Sequence, residues 1–136
     1  SIQQLKTELL QDLVENHHVD IIAGDFNSDL NCFLTQGQLC SRQLSFFEKV
    51  SPGKSLQVYQ QWNLAPYNYL HSQGYQLADC VYSDTKIVST SIFGNRPDAI
   101  WFKPSKIQSH KHDLIDFLTP NLSDHQGLSW TCQVAH

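Results

Sequence analysis

Methionine is absent from these 136 residues, and they hold no CxxC pair, charge block or internal repeat. A chain without Met is expected to be a processed or excised piece, with any targeting information lying elsewhere. No apolar run approaches the roughly 18 residues of a membrane-crossing helix, so no transmembrane segment is expected. The first residues lack the basic-then-apolar pattern of a secretory signal. Six Gly and five Pro are too few for collagenous or low-complexity sequence. Basic residues are also scarce: nine Lys and Arg stand against thirteen Asp and Glu, for a formal charge of −4. That balance argues against a protein that coats nucleic acid by bulk electrostatics, which needs a basic face. It leaves room for an enzyme that meets phosphate through a metal ion, because the cation then supplies the positive charge. Cys32, Cys40, Cys80 and Cys132 lack zinc-site spacing. They are open to two readings, two disulfides or buried free thiols.

Apolar residues make up 40% of the chain, with seven Phe, five Tyr and three Trp, enough to build the core of one domain. Residues 2–15 read as an amphipathic helix with Ile2, Leu5, Leu9, Leu10 and Leu13 on one stripe and Lys6, Glu8, Asp12 and Glu15 facing out. Val19 to Ala23 reads as a short buried strand stopped by Gly24, followed by a polar loop over Asp25–Asp29. A short helix is expected at 42–50, then a turn at Ser51-Pro52-Gly53. Asn63 to Tyr67 reads as a turn into a short helix that reaches His71 and stops at Gly74. Ser83 to Asn95 reads as loop, with one short strand at 86–88. Strands are expected at 99–102, within 107–118 and at 127–134, the last alternating through Leu128, Trp130, Cys132 and Val134, with a turn at Thr119-Pro120-Asn121. The class is therefore mixed α/β (α+β).

Three motifs carry chemistry. Ile21-Ile22-Ala23-Gly24-Asp25-Phe26-Asn27 puts a carboxylate and an amide two residues apart at the end of a strand. Asp can hold a nucleophilic water and Asn can donate to a phosphoryl oxygen, although an Asx turn would use the same residues. Asn95-Arg96-Pro97-Asp98-Ala99-Ile100-Trp101 places Asp98 at a strand entry. Leu122-Ser123-Asp124-His125-Gln126-Gly127-Leu128 presents a carboxylate beside an imidazole that titrates near neutrality. All three sit beside expected strand ends, where layered α/β folds commonly bind ligands. Trp62, Tyr67 and Tyr69 are expected in the core rather than in a stacking or lipid-contacting loop.

In this order, GDFN, PDAIW and SDH resemble the endonuclease/exonuclease/phosphatase superfamily, the DNase I-like fold, with the match spread over residues 19–134. The SDHxGL form looks more like its tyrosyl-DNA phosphodiesterase and neutral sphingomyelinase branches than like DNase I itself. The resemblance implies a metal-dependent phosphoesterase acting on a nucleic acid or a phospholipid head group. Asp25 would orient the attacking water, Asn27 would stabilise the pentacovalent phosphorus, His125 would contact the scissile phosphate and Asp98 would hold His125. Asp25, Asn27 and Asp124 would serve a divalent cation, Mg²⁺ with Mn²⁺ as substitute. The resemblance also implies an upstream Asn and a metal-binding Glu, which these residues do not supply. The expectation is thus the C-terminal portion of one domain, half of a two-sheet sandwich flanked by helices. Alone it should bind Mg²⁺ weakly, be inactive, and seek its N-terminal half as partner. The alternative is a non-catalytic half-domain that binds a partner through an open sheet face.

Overall fold

The computed structural model describes residues 2–38, 41–50, 52–78, 90–91, 95–115, 123–125 and 127–134. Four helices lead: α1 (Ile2–Glu15), α2 (Leu30–Leu34), α3 (Ser41–Val50) and α4 (Leu56–Ser72). Strand β1 (Ile21–Asp25) lies between α1 and α2, and β2 (Gln76–Leu77), β3 (Asp98–Phe102), β4 (Ile107–Ile115) and β5 (Gly127–Val134) follow. The mixed class therefore stands. The expected strand at 86–88 and the turn at 119–121 lie outside the described residues.

The strands form an antiparallel three-stranded sheet in the order β1-β3-β2 and a separate antiparallel β4-β5 pair. Register in the first sheet sets Ile21 opposite Phe102 and Asp25 opposite Asp98. One face of this sheet carries the main core, in which Ile22, Ala99 and Trp101 meet Leu10 and Val14 of α1 and Tyr67 and Leu70 of α4. Trp101 and Tyr67 stack with centroids 5.8 Å apart, and Phe33 of α2 packs edge-on to Trp101. On the other face Phe102 meets Trp130 of β5 at 5.3 Å, so the two sheets touch through a small cluster with Ala78 and Ile107.

Apart from β1, which runs from Ile21 through Gly24 to Asp25 with only Ile22 buried where a buried strand over 19–23 stopped by Gly24 was expected, two sequence expectations change here. The apolar stripe of α1 is only partly buried. Leu10 and Val14 are 5% exposed, whereas Leu5 and Leu9 are 65% and 60% exposed and Lys6 is half-buried. The helix seats itself on α4 and the sheet through 10 and 14, and its first two turns overhang β1, an edge strand among the described residues. The second change is α4, which runs unbroken from Leu56 to Ser72 straight through Pro66, where a turn was expected. Ser55 caps it by accepting the Val58 N–H at 3.1 Å. Proline has no N–H for the carbonyl four residues back. Here that carbonyl, Trp62 O, accepts from Ser28 Oγ at 3.1 Å instead. Tyr67 is fully buried on this helix and Trp62 and Tyr69 are half-buried, in line with a packing role.

Cys32 is fully buried, and both it and Cys132 are free thiols; Cys40 and Cys80 lie outside the described residues. Burial first, and then the charge of Asp29, pushes the Cys32 thiol up to about 11. Only the thiolate reacts readily with alkylating agents. Cys32 should therefore stay unlabelled by iodoacetamide in the native protein and label once urea unfolds it, as peptide mass mapping would show. Rapid native labelling would mean that the α2 region opens.

Candidate functional site

The end of β1 is built by a short run of local rules. Gly24 has φ +144, a region that L side chains rarely adopt, so glycine serves there even though a Cβ would meet no atom within 4 Å. Asn27 follows at φ 49, a left-handed position that Asn tolerates. Its backbone N–H donates to Asp25 Oδ1 at 2.8 Å, which is an Asx turn. The turn thus coexists with the chemistry: it orients the Asp25 carboxylate and leaves it exposed.

Asp98 arrives opposite Asp25 through the β1–β3 register. Directly opposed residues of an antiparallel pair bring their side chains close, and like charges there are destabilising. Relief comes from His125, whose Nδ1 lies 2.8 Å from Asp98 Oδ2 although the two stand 27 positions apart. Ser91 bridges the His125 backbone, and the His125 N–H donates to Ser123 Oγ at 3.1 Å. The hydrogen bond to Asp98 raises the His125 pKa above its ordinary 6.5; burial opposes this, and the charges of Asp98, Asp25 and Asp124 add to it. One ligand atom each from Asp25, Asp98 and His125 lies within 4.8 Å of the others.

Among the expected site residues, then, Asp25, Asp98 and His125 converge on one edge. Asn27 joins them through its backbone, with an exposed side chain. Asp124 is exposed and acts on His125 through its charge. Asp124, expected as a metal ligand, is not part of the group formed by Asp25, Asp98 and His125. Asp25 offers an exposed carboxylate oxygen of the kind Mg²⁺ takes, while Asp98 and His125 are engaged with each other.

Several supporting residues were not recognised from sequence. Asp29, 1% exposed, accepts from the N–H groups of Asn31 at 3.1 Å and Arg96 at 2.9 Å. Its own N–H donates to Asn63 Oδ1 of α4 at 2.7 Å. Leu30 N donates to Arg96 O at 2.8 Å and Phe26 N to Pro97 O at 2.7 Å. Tyr67, buried, donates its hydroxyl to Ser28 O. These bonds lace the segment after β1 to the segment before β3, which is how Asp25 and Asp98 come to be held in register. The signal was present: Asp29 before Leu30-Asn31-Cys32-Phe33 is a helix N-cap pattern. Lys6, expected to face solvent, donates instead to Ser28 Oγ at 2.6 Å and Asn27 O at 3.4 Å. It lines a groove of about 420 Å³ together with Leu5, Leu9, Ile22, Asp25 and Asn27.

Protonation of His125 is linked to folding. Below the ordinary imidazole range both folded and unfolded chains hold the proton, and the full contribution of the His125–Asp98 pair is present. It is lost as pH rises from about 6.5 through the raised value of the folded state. Asp98→Asn should bring the His125 titration, followed by ring-proton NMR, back down toward its ordinary value. An unchanged titration would show that the Asp98 contact does not govern this ring.

No helix among the described residues is long and apolar enough to cross a membrane. Compared with protein-family models, curated proteins and solved structures, the chain matches none, so its function is argued from the geometry of this edge.

Proposed function

We infer that this chain carries the phosphate-contacting part of a metal-dependent phosphoester hydrolase of the endonuclease/exonuclease/phosphatase type. The observation that carries this is the 2.8 Å Asp98–His125 contact with the exposed Asp25 carboxylate beside it, assembled from three separate motifs. A lone acidic turn would not need a buffered imidazole. Asp25 and Asp98 stand directly opposite each other in the β1–β3 register, an arrangement of like charges that strands otherwise avoid. Such conflicts concentrate at functional sites.

The roles follow from the groups. Asp25 orients a water for attack on phosphorus and accepts its proton as the new P–O bond forms and the bond to the leaving oxygen breaks. Asp98 holds the His125 ring by its Nδ1 side and makes it more basic, which leaves Nε2 to face substrate. A ring made more basic holds its proton to higher pH, and its protonated form stabilises the anionic phosphoryl oxygens. The Asn27 amide, exposed next to Asp25, donates to the same oxygens. A bound Mg²⁺ at the exposed Asp25 carboxylate, with Asn27 and Asp124 as the further ligands that the resemblance implies, would supply charge neutralisation at phosphorus.

The test is a cleavage assay with and without EDTA on a nucleic acid, a tyrosyl-DNA conjugate and sphingomyelin. It is run on the 136 residues alone and on the whole open reading frame that encodes them. Mg²⁺-dependent, EDTA-sensitive cleavage by the latter is expected. Inertness of both forms on every substrate would overturn the assignment.

A partner-binding module is the second reading. The exposed Leu5, Leu9 and Ile21, beside an edge of β1 that has no strand partner among the described residues, favour it. It becomes the better account if the open reading frame product is inert.

A further inference from the structure

The proposed chemistry gathers three carboxylates, Asp25, Asp98 and Asp124, around a substrate that is itself anionic. A cation supplied by the chain would ease that repulsion, and one residue near the edge is placed to provide it. Lys6 comes from the middle of α1, and its ammonium lies in the groove that Asp25 and Asn27 also line. It is half-buried and held at a defined place. Ser28 Oγ accepts from it at 2.6 Å, and Ser28 in turn donates to the Trp62 carbonyl that Pro66 leaves without a helical donor. Asn27 O accepts from it at 3.4 Å. An ammonium has three N–H donors. Two point at the Asn27–Ser28 turn, and one remains for a ligand. Burial pulls the Lys6 pKa down and the nearby Asp25 charge pulls it up.

We propose that Lys6 is a substrate-contacting residue of this site, with its ammonium fixed by the Asn27–Ser28 turn so that its remaining N–H donates to a phosphoryl oxygen of the ligand. Lysine serves phosphate as a compact point charge. Anchoring it through Ser28, itself tied to α4, removes the rotamer entropy that a free surface lysine would lose on binding. A preorganised cation opposite Asp25 also gives the phosphoryl group a fixed orientation with respect to the water that Asp25 holds. This inference rests on the phosphoesterase reading above, and the experiment separates the two.

The probe is inorganic phosphate in Mg²⁺-containing buffer, titrated into the full 136-residue chain and followed by backbone amide NMR shifts around Asp25–Ser28. Wild type should show a saturable shift. Lys6→Met should weaken phosphate binding by about tenfold or more, the loss expected of one charge-assisted hydrogen bond. Lys6→Arg should restore it to within about threefold, because the charge and the donors return. Ser28→Ala, which removes the anchor and keeps the charge, should weaken binding by clearly less than Lys6→Met does. Should Lys6→Met lose its fold, Lys6→Gln carries the same comparison. Equal binding by wild type and Lys6→Met overturns the proposal and leaves the phosphoesterase reading standing. So does a Ser28→Ala loss as large as that of Lys6→Met, since Lys6 would then act only by bracing the turn. A wild type that shows no phosphate binding overturns the proposal, while the phosphoesterase reading stands or falls on the cleavage assay with the whole open reading frame product.

Discussion

Replacing His125 or Asp25 by alanine in the whole open reading frame product is expected to lower phosphoester cleavage by roughly a hundredfold to ten-thousandfold, the usual loss when a positioned acid–base group is removed. The fold should survive both changes. His125 is only partly buried, and Asp25 is exposed at the end of β1. Asp25→Ala removes a carboxylate set directly opposite Asp98 but also the acceptor of the Asn27 N–H, so the melting temperature should change little. The measurements are initial rates on the responsive substrate and a thermal melt of each variant. Retained cleavage in Asp25→Ala would remove it from the water-orienting role. A lost fold in either variant would show that these side chains hold the structure rather than the chemistry.

Asp29→Ala carries the largest expected loss of stability. The substitution leaves the N–H groups of Asn31 and Arg96 without their buried acceptor, 2.9 to 3.1 Å away in the native chain. Each orphaned buried donor costs about 1–3 kcal/mol, so a loss of about 2–6 kcal/mol is expected. Typical domains are stable by only about 5–15 kcal/mol, so the variant should unfold at a markedly lower urea midpoint. Asp29→Asn keeps one acceptor oxygen and should lose less. The Asp98–His125 contact depends on the same lacing, so the His125 titration should shift along with stability. A midpoint unchanged by Asp29→Ala would mean that the segment before β3 is held in register by other bonds.

The candidate site was legible as three motifs and illegible as an assembly. GDFN, PDAIW and SDH each announce a carboxylate, amide or imidazole at a strand boundary. That Asp98 meets His125 is a matter of register and of how the chain returns after β3, neither of which periodicity records. The supporting shell was harder to see for the same reason. Ser28, Asn63 and Tyr67 work through backbone partners 34 to 39 positions away. Asp29 could have been found, because an Asp before a helical segment is a capping signal within reach of local reasoning.

By itself the sequence determined the elements whose causes are local. The bounds of α1 at 2–15 and of β5 at 127–134 match their periodicity, and α3 and β3 begin within a residue of expectation. Hydrogen bonds four residues apart, or side chains alternating across a strand, need nothing from afar. The tertiary structure decided which part of an apolar stripe finds a neighbour. Leu10 and Val14 reach α4 and the sheet, while Leu5 and Leu9 overhang a strand that has no further partner among the described residues. It also decided that α4 continues through Pro66 and that Lys6 turns inward. Both outcomes hinge on the Ser28 hydroxyl, which donates to the carbonyl that proline leaves open and accepts from the lysine. A missing donor inside a helix normally ends it. Here the replacement donor comes from a turn 34 residues earlier, and only folding brings it within reach.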